Sequence, residues 1–279
     1  MDMNKTFSCE FFPPKTDQGL EKLLTASEIL KTEIKPDFFS VTFGAGGSTR
    51  ERTFQAVTDI ASHTGVPTAP HLSCIGSSKD EIREILSRYQ QQGIKRLVAL
   101  RGDMPSGMVT SGELHYANEL VTFIREETGD HFHIEVAAYP EFHPIAESPK
   151  QDLAYFKQKI DAGADSAITQ YFYNVDAYYQ FVDDCELLGI DAPIIPGIMP
   201  ITNYTNLARF SDACGTEIPR WIRKRLQDFH DDTESLKAFG KDVVTDMCQR
   251  LLDNGAPGLH FYSMNQTEAT LAIWNELEH

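Results

Sequence analysis

Short apolar runs rich in β-branched and aromatic residues recur along the chain, and longer segments with helical spacing separate them. The runs cover residues 6–12, 37–43, 68–73, 96–100, 133–138, 166–172, 193–198 and 259–263. Between most of them apolar side chains recur three and four positions apart, as at Ile82, Ile85 and Tyr89, which places them on one face of a helix. The pattern therefore predicts eight strands that alternate with helices.

Local signals mark where these helices begin and end. Capping boxes, in which a serine is followed three positions later by Glu or Gln, begin at Ser48, Ser78 and Ser148, and Pro149 suits a first helical position. A glycine in the left-handed conformation is expected to close five helices, at Gly65, Gly93, Gly163, Gly189 and Gly255. The segment 199–257 is long enough to hold additional helices before the last strand.

Eight βα units predict an α/β fold, namely a (β/α)8 TIM barrel with extra helices before the last strand, and a doubly wound open sheet is the alternative. No linker rich in Gly, Pro or Ser interrupts the chain, so one catalytic barrel domain is expected over residues 1–279.

Composition narrows the classes of partner. The chain has 25 Lys+Arg against 41 Asp+Glu, a formal net charge of −16, which argues against a nucleic-acid partner. Its five cysteines include no C-x-x-C pair and are interpreted as reduced thiols in the core. Because no apolar run reaches the length of a membrane span, the protein is expected to be cytoplasmic and without a membrane partner.

Polar side chains follow the predicted strands at the ends where the catalytic loops of a barrel gather. They are Glu10, Thr42, His71, Arg101, Asp103, Tyr139, Glu141, His143, Gln170, Tyr262 and Asn265. This clustering directly after apolar runs indicates an enzyme.

Glu10 is the leading candidate for an acid. Strand alternation places it on the same face as Ser8 and Phe12, and if that face lines the barrel, burial would raise the carboxyl pKa toward neutrality. A carboxyl with such a pKa is a usable general acid. The alternative is a structural carboxylate paired with a lysine or arginine.

Two turns could contact a ligand. Gly102, between Arg101 and Asp103, lets the backbone approach a ligand closely while its neighbours offer donors and an acceptor. An ordinary Arg–Asp ion pair is an equally good interpretation. The turn at residues 44–48 leads into a capped helix, a geometry that binds phosphate, but it lacks the G-x-G-x-x-G spacing and is interpreted as a glycine-rich turn.

Metal and nucleophile chemistry are not favoured. The pair His131 and His133 lies at the start of a predicted strand rather than its active end, and Asp183 and Asp184 are adjacent within a helical pattern, where they point in different directions. We therefore expect no metal site. No G-x-S-x-G elbow is present, and no cysteine lies beside a candidate base.

Nine segments in sequence order resemble one known family almost from end to end. They are EFFPP at 10–14, SVTFGA at 40–45, APHL at 69–72, ALRGD at 99–103, AAYPE at 137–141 with HP at 143–144, DAGA at 161–164, ITQ at 168–170, IPGI at 195–198 and HFY at 260–262. Together they are similar to the bacterial methylenetetrahydrofolate reductases, which are FAD-dependent (β/α)8 barrels.

The resemblance implies reduction of 5,10-methylenetetrahydrofolate to 5-methyltetrahydrofolate, which supplies methyl groups for methionine synthesis. FAD is implied as the prosthetic group and NADH or NADPH as the co-substrate, with two half-reactions that use one site in turn. Glu10 matches the family's acid, which helps open the folate's five-membered ring, and Asp103 matches a carboxylate near flavin and pterin. The remaining implied contacts are Ala45, His71, Arg101, Gly102, Asp103, Ala117, Tyr139, His143, Ala146, Asp152 and Lys159 for FAD, Thr42 and Phe210 for the nicotinamide cofactor, and Asp103, Gln170, Asn206, Tyr262 and Gln266 for the substrate. Phe43 is implied as a cofactor contact without assignment to either cofactor.

Some positions depart from the bacterial pattern. Phe43 stands where tyrosine is usual, Tyr155 and Gln158 stand where Asn and Arg help hold the flavin's tail, Asn206 replaces Gln, and Gln266 replaces Arg. The resemblance further implies a homodimer or homotetramer. Since the sequence ends at His279 without the regulatory domain of eukaryotic members, allosteric inhibition by a sulfonium metabolite is not expected.

Two other functions remain open on the sequence. One is a flavin-free, pterin-binding barrel that transfers a one-carbon group. The other is a reductase subunit that receives electrons from an iron–sulfur partner protein rather than directly from NADH.

Overall fold

The computed structural model describes residues 5–43, 47–103 and 112–278. Its strands are β1 (Thr6–Phe11), β2 (Phe38–Val41), β3 (Thr68–Ser73), β4 (Arg96–Leu100), β5 (His133–Ala138), β6 (Ser166–Thr169), β7 (Ile194–Ile195), β8 (Gly197–Ile198) and β9 (Gly258–Tyr262). All are parallel, in the order β7-β6-β5-β4-β3-β2-β1-β9-β8. The described strands thus form a nearly closed TIM-type barrel, as the eight-unit pattern predicts.

One predicted strand, 193–198, is wrong as a single element. Pro196 divides it into β7, which pairs with β6, and β8, which pairs with β9. Proline has no N–H to donate to a ladder, but its carbonyl accepts the His260 N–H at 2.9 Å. The two half-strands therefore belong to opposite edges of the sheet and close the barrel between them.

The helices pack outside the strands. They are α1 (Asp17–Ile34), α2 (Gly47–Thr64), α3 (Lys79–Gln91), α4 (Ala117–Thr128), α5 (Pro149–Asp161), α6 (Val175–Leu187), α7 (Tyr204–Cys214), α8 (Arg220–Asp228), α9 (Thr233–Asp253) and α10 (Glu268–Trp274). Helices α7 to α9 all lie between β8 and β9, which confirms the prediction of additional helices before the last strand.

The predicted helix boundaries are largely confirmed. The five predicted closing glycines all have φ between +69° and +109°, and Ser78 forms a complete capping box with Glu81. At α5, Ser148 accepts the Gln151 N–H at 3.3 Å, but the Gln151 side chain accepts the N–H of Glu147 instead of closing the box. The Ser48 side chain and residues 44–46 lie outside the described part.

Apolar packing fills the space between the sheet and the helices, and a smaller apolar layer inside the barrel contains Phe38, Val98 and Ile168. Below this layer, where the strands begin, Glu135 is fully buried and pairs with Arg96, and its Oε2 accepts the Ser166 hydroxyl at 2.5 Å. The lower end of the barrel is thus closed by apolar and ion-paired side chains, so the polar opening lies at the carboxyl ends.

Candidate active site

Glu10 lies near the carboxyl end of β1, in register with Ser40 on one side and Tyr262 on the other. Its Oε2 lies 3.2 Å from Nε2 of His71 on β3 and 3.7 Å from Nε2 of His260 on β9. Its side chain is 18% exposed, whereas His260 is fully buried. Three strands thus bring one carboxylate and two imidazoles together at the mouth of the barrel.

The prediction of a raised pKa for Glu10 is wrong for the protein without ligands. Burial alone would raise the pKa, but the interactions with His71 and His260 outweigh it and lower the pKa to about 2. The alternative of a lysine or arginine partner is also wrong, because the partners are histidines. A proton reaches this carboxyl only if the histidine interactions are weakened or a ligand buries the pair further.

Ser8 and His260 extend this group downward into the barrel. The Ser8 hydroxyl lies 2.7 Å from Nδ1 of His260, and both residues are fully buried. Neither residue is among the candidate site residues predicted from the sequence. The available signal was a histidine at the centre of an apolar strand, because a fully buried histidine in a barrel interior requires a polar partner.

The turn after β4 is held by packing rather than by an ion pair. Gly102 has φ +81°, and a Cβ placed there would lie 1.8 Å from Oγ of Ser73, which itself donates to the Arg101 carbonyl at 2.8 Å. No ion pair joins Arg101 to Asp103 in the described structure, and Asp103 is exposed. The glycine therefore allows a close backbone approach and leaves both charged side chains available to a ligand.

A second group of predicted residues surrounds the β5–α5 loop. Tyr139 and His143 form an edge-to-face ring pair with centroids 4.6 Å apart, and the His143 N–H donates to Oδ2 of Asp152 at 3.0 Å. Nζ of Lys159 donates to the Ala137 carbonyl at 2.5 Å. Burial lowers the pKa of Lys159 to about 8, against a smaller opposing effect of Asp152. Such an ammonium would be stabilised by an anionic ligand.

Glu141 occupies an unusual place on the same loop. Its Oε2 accepts the N–H of Glu217 at 2.8 Å, while its buried Oε1 has no partner. Burial raises the pKa of Glu141 to about 7. Nearby, a Cβ on Gly215 would lie 2.9 Å from Pro144, so the β5–α5 loop packs closely against the segment that follows α7.

The remaining predicted residues are located as follows. Gln170 directly follows β6 and is half-buried, Thr42 and Phe43 follow β2, Ala117 begins α4, and Ala146 lies before α5. Asn206 and Phe210 are exposed on α7, and Gln266 is exposed after β9. The side chains of Asn206, Phe210 and Gln266 stand apart from the two groups described above, around Glu10 and around Tyr139. Among the described residues, no hydrogen bond or ring contact joins them to either group. Ala45 lies outside the described residues.

Metal binding receives no support from these groups. Within residues 5–43, 47–103 and 112–278, no three His, Cys, Asp or Glu side chains are placed to hold a metal ion. His133 contacts the Ser166 hydroxyl at 2.7 Å, and Asp183 and Asp184 lie within α6. In the same residues, no helix is long and apolar enough to cross a membrane.

Parallel strands in a barrel, with polar and titratable side chains at their carboxyl ends, define the class of TIM-barrel enzymes. Residues 2–278 match the family model described as methylenetetrahydrofolate reductase. The chain is 42% identical over 271 residues to the 5,10-methylenetetrahydrofolate reductase of Escherichia coli (strain K12), a match that covers 97% of this chain and 90% of that protein. The chain belongs to the methylenetetrahydrofolate reductase family.

A plant relative agrees in family, and a solved structure agrees in fold. The chain is 40% identical over 285 residues to the probable methylenetetrahydrofolate reductase (NADH) of Oryza sativa subsp. japonica, covering 98% of this chain and 48% of that protein. A solved structure from Clostridium thermocellum superposes with a TM-score of 0.63 at 18% identity, covering 97% of this chain and 93% of that one. That uncharacterized protein is described as binding two copies of 5-methyl-5,6,7,8-tetrahydrofolic acid, and its likeness to this chain concerns the fold alone.

Proposed function

We propose that this chain reduces 5,10-methylenetetrahydrofolate to 5-methyltetrahydrofolate, with NADH or NADPH as the source of hydride and FAD as its carrier. The mechanism is ping-pong, in which the nicotinamide cofactor and the folate occupy one site in turn. The product supplies methyl groups for methionine synthesis in the cytoplasm, and residues 1–279 form one catalytic domain. The observation that carries the proposal is the position of Glu10, an incompletely buried carboxyl with two histidine partners, at the barrel mouth of a member of this family.

Glu10 is the proton donor in this proposal. Its lowered pKa describes the site without ligands, where the histidine partners favour the carboxylate. A folate that covers the mouth excludes water from Glu10, and loss of water favours the neutral carboxyl. Glu10 in that form donates its proton to a ring nitrogen of the folate. Protonation opens the five-membered ring and creates the electrophilic carbon that accepts hydride.

The substrates are oriented by side chains around this acid. Asp103 is exposed beside the Gly102 turn and free to accept a hydrogen bond from a pterin ring. Tyr262, in register with Glu10 on the neighbouring strand, is fixed because its hydroxyl donates to the Thr169 carbonyl at 2.6 Å. We assign Gln170, Asn206 and Gln266 to the folate and Thr42, Phe43 and Phe210 to the nicotinamide cofactor.

The residues of the second group fit a flavin dinucleotide. Lys159 is a half-buried cation whose lowered pKa fits an adjacent diphosphate. When bound, FAD supplies reversible two-electron hydride chemistry. The residues that would hold it are Ala45, His71, Arg101, Gly102, Asp103, Ala117, Tyr139, His143, Ala146, Asp152 and Lys159.

The test is a visible absorbance spectrum of the purified protein, before and after anaerobic NADH and then methylenetetrahydrofolate. A flavin band that bleaches with NADH and returns with folate is expected. Glu10→Gln should keep the first change and largely lose the second, because only folate reduction needs the acid. Equal loss of both steps would overturn the role of Glu10. Protein that stays colourless with added FAD would favour a flavin-free pterin barrel, and bleaching only by another reductant would indicate a partner protein.

A further inference from the structure

Helix α7 presents Asn206 and Phe210, which the proposed function assigns to the folate and to the nicotinamide cofactor. Both side chains are exposed. Because the two residues are four positions apart on a helix, they share one face. The contacts that hold α7 therefore determine where this face lies relative to the barrel mouth.

Neutral contacts hold the C-terminal end of α7 to the β6–α6 loop. The Thr216 hydroxyl donates to the Tyr171 carbonyl at 3.0 Å, and the Tyr171 hydroxyl lies 3.1 Å from Oγ of Ser211 on α7. All three residues are buried. These contacts fix α7 to the loop that follows Gln170.

A carboxyl group joins the same end of α7 to the β5–α5 loop. Oε2 of Glu141 accepts the Glu217 N–H at 2.8 Å, three residues beyond the end of α7 at Cys214. Glu141 lies between Tyr139 and His143, which the proposed function assigns to the flavin. Its hydrogen bond thus connects a loop assigned to the cofactor with a helix assigned to the two substrates.

The position of Glu141 is unfavourable for stability. Its Oε1 is buried and has no partner among the described residues, and a buried polar atom without a partner destabilises the fold. The next residue, Phe142, has φ +70° and is 49% exposed, although a bulky side chain disfavours the left-handed conformation. Unfavourable geometry of this kind is concentrated at functional sites.

We propose that Glu141 is a positioning residue that holds α7 against the β5–α5 loop and so fixes Asn206 and Phe210 over the barrel mouth. Glu10 lies on β1, with its partners on β3 and β9, so loss of Glu141 leaves the acid in place. Contacts from α7 that are equally strong before and during reaction change KM and leave kcat unchanged. This inference rests on the proposed function, because that function assigns the two α7 residues to substrates.

The first measurement is hydrogen–deuterium exchange of the full chain, which does not depend on activity. Glu141→Ala leaves the Glu217 N–H without its acceptor, so exchange in residues 204–218 should accelerate about ten-fold, the effect of one lost hydrogen bond. Glu141→Asp, whose carboxyl is one methylene shorter, should show the same change with the charge retained. Glu141→Gln keeps an acceptor oxygen with the same reach and should exchange as the parent chain does. Glu147→Ala removes an exposed carboxylate from the same loop and is the control.

The second measurement is steady-state kinetics with added FAD, methylenetetrahydrofolate and NADH or NADPH. Glu141→Ala should raise KM for each substrate about ten-fold, with kcat changed by less than about two-fold. Glu141→Gln and Glu147→Ala should keep the KM and kcat values of the parent chain.

The outcomes separate the two proposals. Unchanged exchange in residues 204–218, or equal acceleration in α3 as well, would overturn the inference and leave the proposed function intact. A fall in kcat without a rise in KM would do the same. A parent chain that does not reduce the folate would overturn the proposed function and with it the assignment of substrates to α7, whereas accelerated exchange would still establish that Glu141 holds the helix.

Discussion

The side-chain amide of Asn265 pairs with both backbone groups of Phe12: its Oδ1 accepts the Phe12 N–H at 2.9 Å, and its Nδ2 donates to the Phe12 carbonyl at 2.9 Å. Asn265 has φ +56° and its neighbour Met264 has φ +53°. Two successive residues in the left-handed conformation are thus tied to the loop that follows Glu10.

Asn265→Ala should lower the free energy of unfolding by about 2–3 kcal/mol, because it removes two hydrogen bonds and leaves a residue poorly suited to positive φ. Urea denaturation measures this. Asn254→Ala is the matched control, since that amide donates to the Arg250 carbonyl from a residue with an ordinary φ of −98°. An equal loss in the two variants would contradict the role assigned to the double contact.

The Glu10–His71 pair should be visible in the pH dependence of stability. Because the folded pKa of Glu10 is lowered to about 2 from 4.5, its stabilisation is present above pH 4.5 and is lost as pH falls toward 2. His71→Asn should raise that pKa and reduce the acid-side loss of unfolding free energy by about 1–3 kcal/mol. His63→Asn, at an exposed histidine 4.0 Å from Glu28, is the control. If His71→Asn leaves the dependence of unfolding free energy on pH unchanged below pH 4.5, the Glu10–His71 pair does not stabilise the folded chain.

A comparison of Gly102 with Gly65 tests the close approach of the backbone to Ser73 after β4. Both have positive φ, +81° and +72°, but only at Gly102 would a Cβ meet another residue, Ser73. Gly65→Ala should cost about 1 kcal/mol from backbone conformation alone. Gly102→Ala should cost about 2 kcal/mol more, because the Ser73 hydroxyl must leave the Arg101 carbonyl. Equal costs in urea denaturation would mean that the Ser73 contact relaxes freely.

Glu141 should have the opposite pH signature from Glu10. Its folded pKa is raised to about 7 from 4.5, so it costs no stability below pH 4.5, and its penalty grows as pH rises to 7. Glu141→Gln should remove about 2–3 kcal/mol of that decline. Glu217→Gln keeps the backbone N–H that donates to Glu141. This variant should therefore retain most of the decline in stability between pH 4.5 and 7. Identical pH profiles for the parent chain and Glu141→Gln would refute the assignment.

The elements were predictable because their signals are local. Serine caps such as Ser78, glycines such as Gly65 and apolar spacing within one helix act over a few residues, and the structure confirms them. The break at Pro196 was also readable in principle, since a proline inside an apolar run argues against a central strand.

The state of Glu10 could not be derived in the same way. His71 and His260 come from strands that are distant in sequence, and their effect on the pKa of Glu10 depends on distances of 3.2 and 3.7 Å fixed by strand register. Alternation correctly placed Glu10 toward the interior, but burial was only one of two opposing effects. The lower network of Glu135, Arg96 and Ser166 was missed for the same reason.

The split at Pro196 also affects how the folded chain resists association. Half-strands β7 and β8 are each two residues long, and each supplies one of the two ladders that close the ring. If these short ladders separate, the ring becomes an open sheet with two unpaired edges, the form that pairs with other chains and aggregates. The shortest strands of the barrel therefore protect the whole sheet from edge-to-edge aggregation.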